Sequence, residues 1–170
     1  MRNAVVEASA QGSVATAVQS SAKMLLKKMA TQAKGLGMPN EPPVKRLVDK
    51  MLFNYRNLGF IHLLFPKATV LHTVRDPMDT LLSCYTHKFD DKGLEWAFDA
   101  EALVEQYSQY LAIMAHFRRV LPPGRIVDVH YQRLVEGPEP YLRSLLEESL
   151  GLHWDDRCVS ASPCACRVAW

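Results

Sequence analysis

Arg75, Asp76, Thr80 and Ser83 fall within one short run, VLHTVRDPMDTLLSCY, at residues 70–85. An arginine and a hydroxyl near a helix start suit a cluster of phosphate oxygens, because a guanidinium presents several N–H donors in one plane. The preceding TVLHTV, residues 69–74, is β-rich and bounded by a Pro-Lys turn and a charged pair. It reads as a buried parallel strand. Such a strand delivers Arg75 to its carboxyl end, where open α/β sheets bind ligands. Pro77 suits the first turn of a helix and Asp76 its N-cap, so the helix amides would face the same space. Asp76, Thr80 and Ser83 follow i, i+4, i+7 spacing and share one side. Met78, Leu82, Tyr85 and Phe89 form an apolar stripe on the other, the side expected to face the core. The competing reading of Arg75 is a structural ion pair with Asp76 or Asp79.

The elements around this run predict an α/β chain. Residues 13–34 carry Val14, Val18, Leu25 and Met29 at helical spacings beside Lys27 and Lys28, an amphipathic helix with a basic side. Gly35 to Pro43 is rich in glycine and proline and reads as a linker. Val44–Val48 reads as a short strand. Residues 54–65 read as a helix with Leu58, Ile61, Leu64 and Phe65 on one side, stopped by Pro66. Helices follow at 77–88, 99–119 and 138–149, with a Pro122-Pro123-Gly124 turn and a strand at Arg125–Val129. Strands alternating with helices imply a parallel sheet.

The length of 170 residues suits one domain, and 48% apolar with 22% charged residues is ordinary for a globular chain. Lys+Arg minus Asp+Glu is 20 − 18 = +2, without the clustered basic face of a nucleic-acid binder. The most apolar region, Met51 to Val74, is interrupted by polar residues and prolines, so no membrane span is expected. Before residue 41 one acid, Glu7, stands against Arg2, Lys23, Lys27, Lys28 and Lys34. That bias is weakly transit-peptide-like, which makes organelle targeting by residues 1–40 the alternative to a cytoplasmic default. Cys84, Cys158, Cys164 and Cys166 lack paired zinc spacings and imply neither metal nor disulfide framework. None of the six histidines is assigned as a catalytic base.

Three segments in order resemble the sulfotransferases. They are DKM-x2-N-x3-L-G-x-I-x-x-L-F-P-x-A from Asp49, then VLHTVRDPMDTLLSCY, then VHYQRLVEGP from Val129. The resemblance covers about residues 46–155, and the tetratricopeptide-associated and protein-tyrosine sulfotransferase branch is the nearest in pattern. It implies transfer of a sulfuryl group from 3′-phosphoadenylyl sulfate (PAPS), a nucleotide co-substrate, to a hydroxyl acceptor, with protein tyrosine as a candidate. It implies a P-loop-like parallel sheet flanked by helices. By position it assigns Arg75 and Ser83 to the donor's 3′-phosphate, Lys50 to charge at the transferring sulfuryl group, and Tyr131 to an aromatic lining of the nucleotide site. Residues 1–49 offer no match to the family's Pro-Arg-Ser-Gly-Thr-like phosphosulfate loop, and no position matches its catalytic base. The expected organisation is an N-terminal helix and linker at 1–43, a partial sulfotransferase domain at 44–157 and a non-matching tail at 158–170. An inactive fragment with at most weak nucleotide binding is the alternative, and a helix-rich interaction module a third reading.

Overall fold

The computed structural model describes residues 14–35, 46–89 and 93–160. Most of the expected linker, the first half of the Val44–Val48 segment, Cys164, Cys166 and most of the tail lie outside these residues. The chain forms two compact units, Met1–Ala68 and Thr69–Trp170. Among the described residues it is a helix-dominated α/β chain with a two-stranded parallel sheet.

In the first unit, α1 (Val14–Gly35) and α2 (Leu58–Leu64) touch, and a 3-10 turn, Leu52–Asn57, leads into α2. The expected helix at 54–65 is therefore half 3-10 and half α. Its inward side is as read from the sequence: Leu58 is 2% exposed, whereas Phe60 and Leu63 face water. Of the expected strand at Val44–Val48, the described residues 46–48 form none, since residues 46–50 are irregular and exposed. Val48 has no core to enter, at 91% exposure, so nothing offsets the cost of ordering it in a ladder. Asn54 instead donates to Asp49 Oδ2 at 2.9 Å, tying the end of this stretch to the 3-10 turn.

The second unit is built on β1 (Val70–Val74) and β2 (Ile126–His130), paired parallel from Val70↔Ile126 to Val74↔His130. The crossover between them holds α3 (Pro77–Thr86), a 3-10 turn at Glu95–Phe98 and the long α4 (Ala100–Val120). Asp99 caps α4 by accepting from the Ala102 N–H at 2.8 Å. Leu94, Ala97, Leu103 and Met114 bury the inner side of this crossover. After β2 come α5 (Tyr131–Glu136), α6 (Pro138–Ser144), a π-turn at Leu145–Ser149 and α7 (Arg157–Ser160).

Helix α3 lies the other way round from the sequence expectation. Met78, Leu82 and Tyr85 are exposed, and Thr80, Leu81 and Cys84 turn inward. The helix has two sides that could be buried, and its junction with β1 selects the narrower one. Burial pushes the Cys84 thiol up, which suits a small packing residue rather than a nucleophile.

Register pairs His72 with Asp128 across the strands. His72 Nδ1 lies 2.7 Å from Asp128 Oδ1, and Arg118 of α4 donates to the same oxygen at 2.6 Å. The carboxylate only accepts, so His72 Nδ1 carries the hydrogen and Nε2 faces the Tyr110 hydroxyl of α4. One polar cluster thus joins both strands to the helix above them. For Asp128, burial raises the carboxyl pKa, but hydrogen bonds from Arg118 and His72 and their charges outweigh it and leave a net lowering. A carboxyl lowered in the native state stabilises it above the ordinary value near 3.8, and that contribution is lost as pH falls through the native value. The melting temperature of the native chain should therefore exceed that of Asp128→Asn at pH 7, and the gap should narrow below about pH 4. A gap that stays constant into acid would show that the charge of Asp128 contributes nothing.

Candidate functional site

The last ladder pair, Val74↔His130, decides what stands at the carboxyl edge of the sheet. The next residue on each strand is Arg75 and Tyr131. Paired strands run about 4.8 Å apart, so these two side chains emerge as neighbours. The Arg75 guanidinium carbon sits 5.0 Å from the centre of the Tyr131 ring, a cation–π contact. The end of β2 is held from below by Tyr141 of α6. Its hydroxyl accepts from the His130 N–H at 2.8 Å and donates to the Asp128 carbonyl at 3.3 Å. Tyr131 is thereby set on a fixed backbone, as the first residue of α5.

Asp76 resolves one alternative left open by the sequence. Its Oδ1 accepts from the Met78 N–H at 2.9 Å and the Asp79 N–H at 3.1 Å. Its carbonyl takes the Thr80 N–H at 3.0 Å and the Thr80 hydroxyl at 2.9 Å. Pro77 has no N–H. Every donor of the first turn is therefore satisfied by the chain itself. The expectation that these amides serve an anion does not hold, because the cap's own carboxylate occupies them. Anion recognition at this edge falls to the side chains.

Arg75 pairs with the other acid, Asp79, at 3.6 Å. That distance is ionic contact without a hydrogen bond. Among the described residues no acceptor hydrogen-bonds the Arg75 guanidinium, which is 40% exposed. Its guanidinium carbon lies over the Tyr131 ring, and the side chain keeps part of its surface in solvent. Ser83 follows Asp79 by four residues, so Arg75, Asp79 and Ser83 line one side of α3. Ser83 is exposed and stands about 9 Å along the axis from Pro77, at roughly 1.5 Å per residue. Lys50 closes the exposed irregular stretch 46–50 of the first unit, whereas Arg75, Ser83 and Tyr131 belong to the second. The structure thus brings together Arg75 and Tyr131, with Ser83 further along the same helix.

Two supports of the site were not foreseen from sequence. Tyr141 carries no local signal, because its role is to reach a backbone amide eleven residues away. The His72–Asp128 pair had one: a polar residue at the centre of each of two apolar strands, VLHTV and IVDVH, asks for a partner.

The family model described as "Sulfotransferase family" matches residues 2–156. A protein of Aquifex aeolicus (strain VF5) described as uncharacterized is 38% identical over 116 residues, which is 67% of this chain and 15% of that protein. A protein-tyrosine sulfotransferase of Drosophila melanogaster is 26% identical over 114 residues, 67% of this chain and 22% of that enzyme. The chain therefore matches less than a quarter of the length of either relative. No solved structure matches it.

The cap can be tested directly. Asp76→Ala should cost about 1 kcal/mol of stability, read as a lower melting temperature, while Asp76→Asn should restore most of it because asparagine caps nearly as well. Equal melting of all three proteins would remove Asp76 from this role.

Proposed function

The chain belongs to the sulfotransferase family, and from that premise we propose that its second unit binds the adenosine 3′,5′-bisphosphate part of PAPS and serves sulfuryl transfer to a hydroxyl acceptor. The observation that carries this reading is the Arg75 guanidinium: it lies over the Tyr131 ring at the carboxyl edge of parallel strands, and no acceptor among the described residues hydrogen-bonds it. A planar fork of donors held that way suits a phosphate group.

In this reading Arg75 and the Ser83 hydroxyl hold the 3′-phosphate, and Tyr131 lines the nucleotide site. When bound, PAPS supplies the sulfuryl group that is transferred. By analogy with phosphoryl transfer, the protein's part is to position the groups and neutralise charge, since the migrating group passes through a loose transition state. Lys50 is assigned to that neutralisation, as a compact charge on a flexible stem. The relative named as a protein-tyrosine sulfotransferase makes tyrosine on a protein the acceptor to try first.

A second reading, nucleotide binding without turnover, is favoured by one finding. The first-turn amides of α3 are filled by Asp76 and so are closed to an incoming anion.

Calorimetric titration with adenosine 3′,5′-bisphosphate tests the shared part. Charge-assisted hydrogen bonds are worth about 1.5–3 kcal/mol, so Arg75→Ala should weaken binding roughly tenfold to a hundredfold. Absence of heat and of thermal shift at millimolar ligand would overturn both readings. A turnover assay with labelled PAPS and a tyrosine peptide then separates them: sulfated peptide selects the enzyme, and Arg75-dependent binding without product selects the second reading.

A further inference from the structure

We propose that Asp79 is a resident counter-ion that an incoming anion displaces from Arg75, while the Tyr131 ring keeps the guanidinium in place throughout. The inference rests on the reading of Arg75 as the phosphate-binding arginine. It assigns two positioning residues, Asp79 and Tyr131, that act on the ligand through Arg75.

Arg75 has two partners of different kinds. Its guanidinium carbon lies over the Tyr131 ring, 5.0 Å from the centre. Asp79 Oδ2 stands 3.6 Å from its terminal nitrogen Nη2. An oxyanion binds a guanidinium through its in-plane N–H donors, so it competes with the carboxylate and leaves the ring contact intact. Asp79 is also poorly held. Its carboxylate is 57% exposed and accepts no hydrogen bond among the described residues; the bond that anchors this residue to the cap uses its backbone N–H. Asp76 forms no ion pair with Arg75 and uses its Oδ1 to accept two amides of the cap. Tyr131 is the opposite case: its backbone follows directly on β2, whose last amide is bonded to Tyr141.

This arrangement keeps an exposed arginine electrically balanced without blocking it. A surface ion pair of this kind is weak and readily exchanged for a more highly charged anion. It also lowers the net charge that the site shows to any anion at a distance.

The experiment is titration of adenosine 3′,5′-bisphosphate into the full chain and its variants at several salt concentrations. Asp79→Asn should tighten binding about twofold to fivefold, the range set by surface ion pairs. It should also steepen the salt dependence, because the site gains a net positive charge. Asp79→Ala should do the same, which separates loss of charge from any effect of the amide. Tyr131→Leu should bind several-fold more weakly than the native chain, and Tyr131→Phe should bind more tightly than Tyr131→Leu, since the ring is what lies against Arg75. Damage to the fold does not tighten binding, so the gain with Asp79→Asn is the decisive sign. If binding depends on Arg75 but both Asp79 variants leave it unchanged or weaken it, the counter-ion role is overturned and the phosphate reading of Arg75 stands. If Tyr131→Phe binds as poorly as Tyr131→Leu, the ring-platform role is overturned. If Arg75→Ala binds as well as the native chain, the underlying reading falls and this inference falls with it.

Discussion

The in-register parallel pairing of β1 with β2 is the constraint on which the second unit depends. It sets His72 beside Asp128 inside the ladder and Arg75 beside Tyr131 just past its end. A slip of one residue would send each side chain to the opposite face and dissolve both pairs. The polar pair also explains how the register is specified. Apolar strand residues tolerate sliding against one another, but a half-buried carboxylate and imidazole do not, because each left alone would carry the cost of lost water. Arg118 and Tyr110 of α4 complete the cluster, so the same interaction fixes strand to strand and strand to helix.

Charge is divided with some economy where β1 turns into α3. Three consecutive structural demands meet there: a helix must be capped, an arginine must be balanced, and an edge must stay open. Asp76 meets the first with both its side chain and its carbonyl. Asp79 meets the second from a distance that forms no hydrogen bond. The third follows from the first two, since the guanidinium is neither capped by Asp76 nor locked by Asp79. Tyr131 adds what an exposed arginine otherwise lacks, a fixed plane for a long and flexible side chain.

Much of this was legible along the chain. The strand of β1, the proline-led helix after it, the Asp76 cap, the long helix of α4 and the second strand all stand within a residue or two of where hydropathy and capping signals put them. Arg75 at the strand end was legible for the same reason. The choice between Asp76 and Asp79 as its partner was not, because both spacings are sterically open until the helix phase is set. Likewise the apolar stripe Met78–Leu82–Tyr85 gave the wrong inward side of α3. Periodicity reports that a side is apolar, but not that a neighbour exists to cover it. The stretch 46–50 shows the same limit, since strand-forming residues make no strand without a ladder to join.

The sequence by itself determined the local chemistry: which residues are cations, which acid can cap, where helices start, and the ordered motifs that carry the sulfotransferase relationship. These are properties of neighbours in the chain, where a few dihedral angles settle the outcome. Only the tertiary structure decided that Arg75 and Tyr131 meet, that Tyr141 clamps the strand between them, and that His72 and Asp128 share a proton-bearing contact. The first and last of those contacts join residues that the crossover through α3 and α4 keeps far apart in sequence. Their geometry exists only once the two strands have chosen a register, and that choice belongs to packing rather than to any local run of residues.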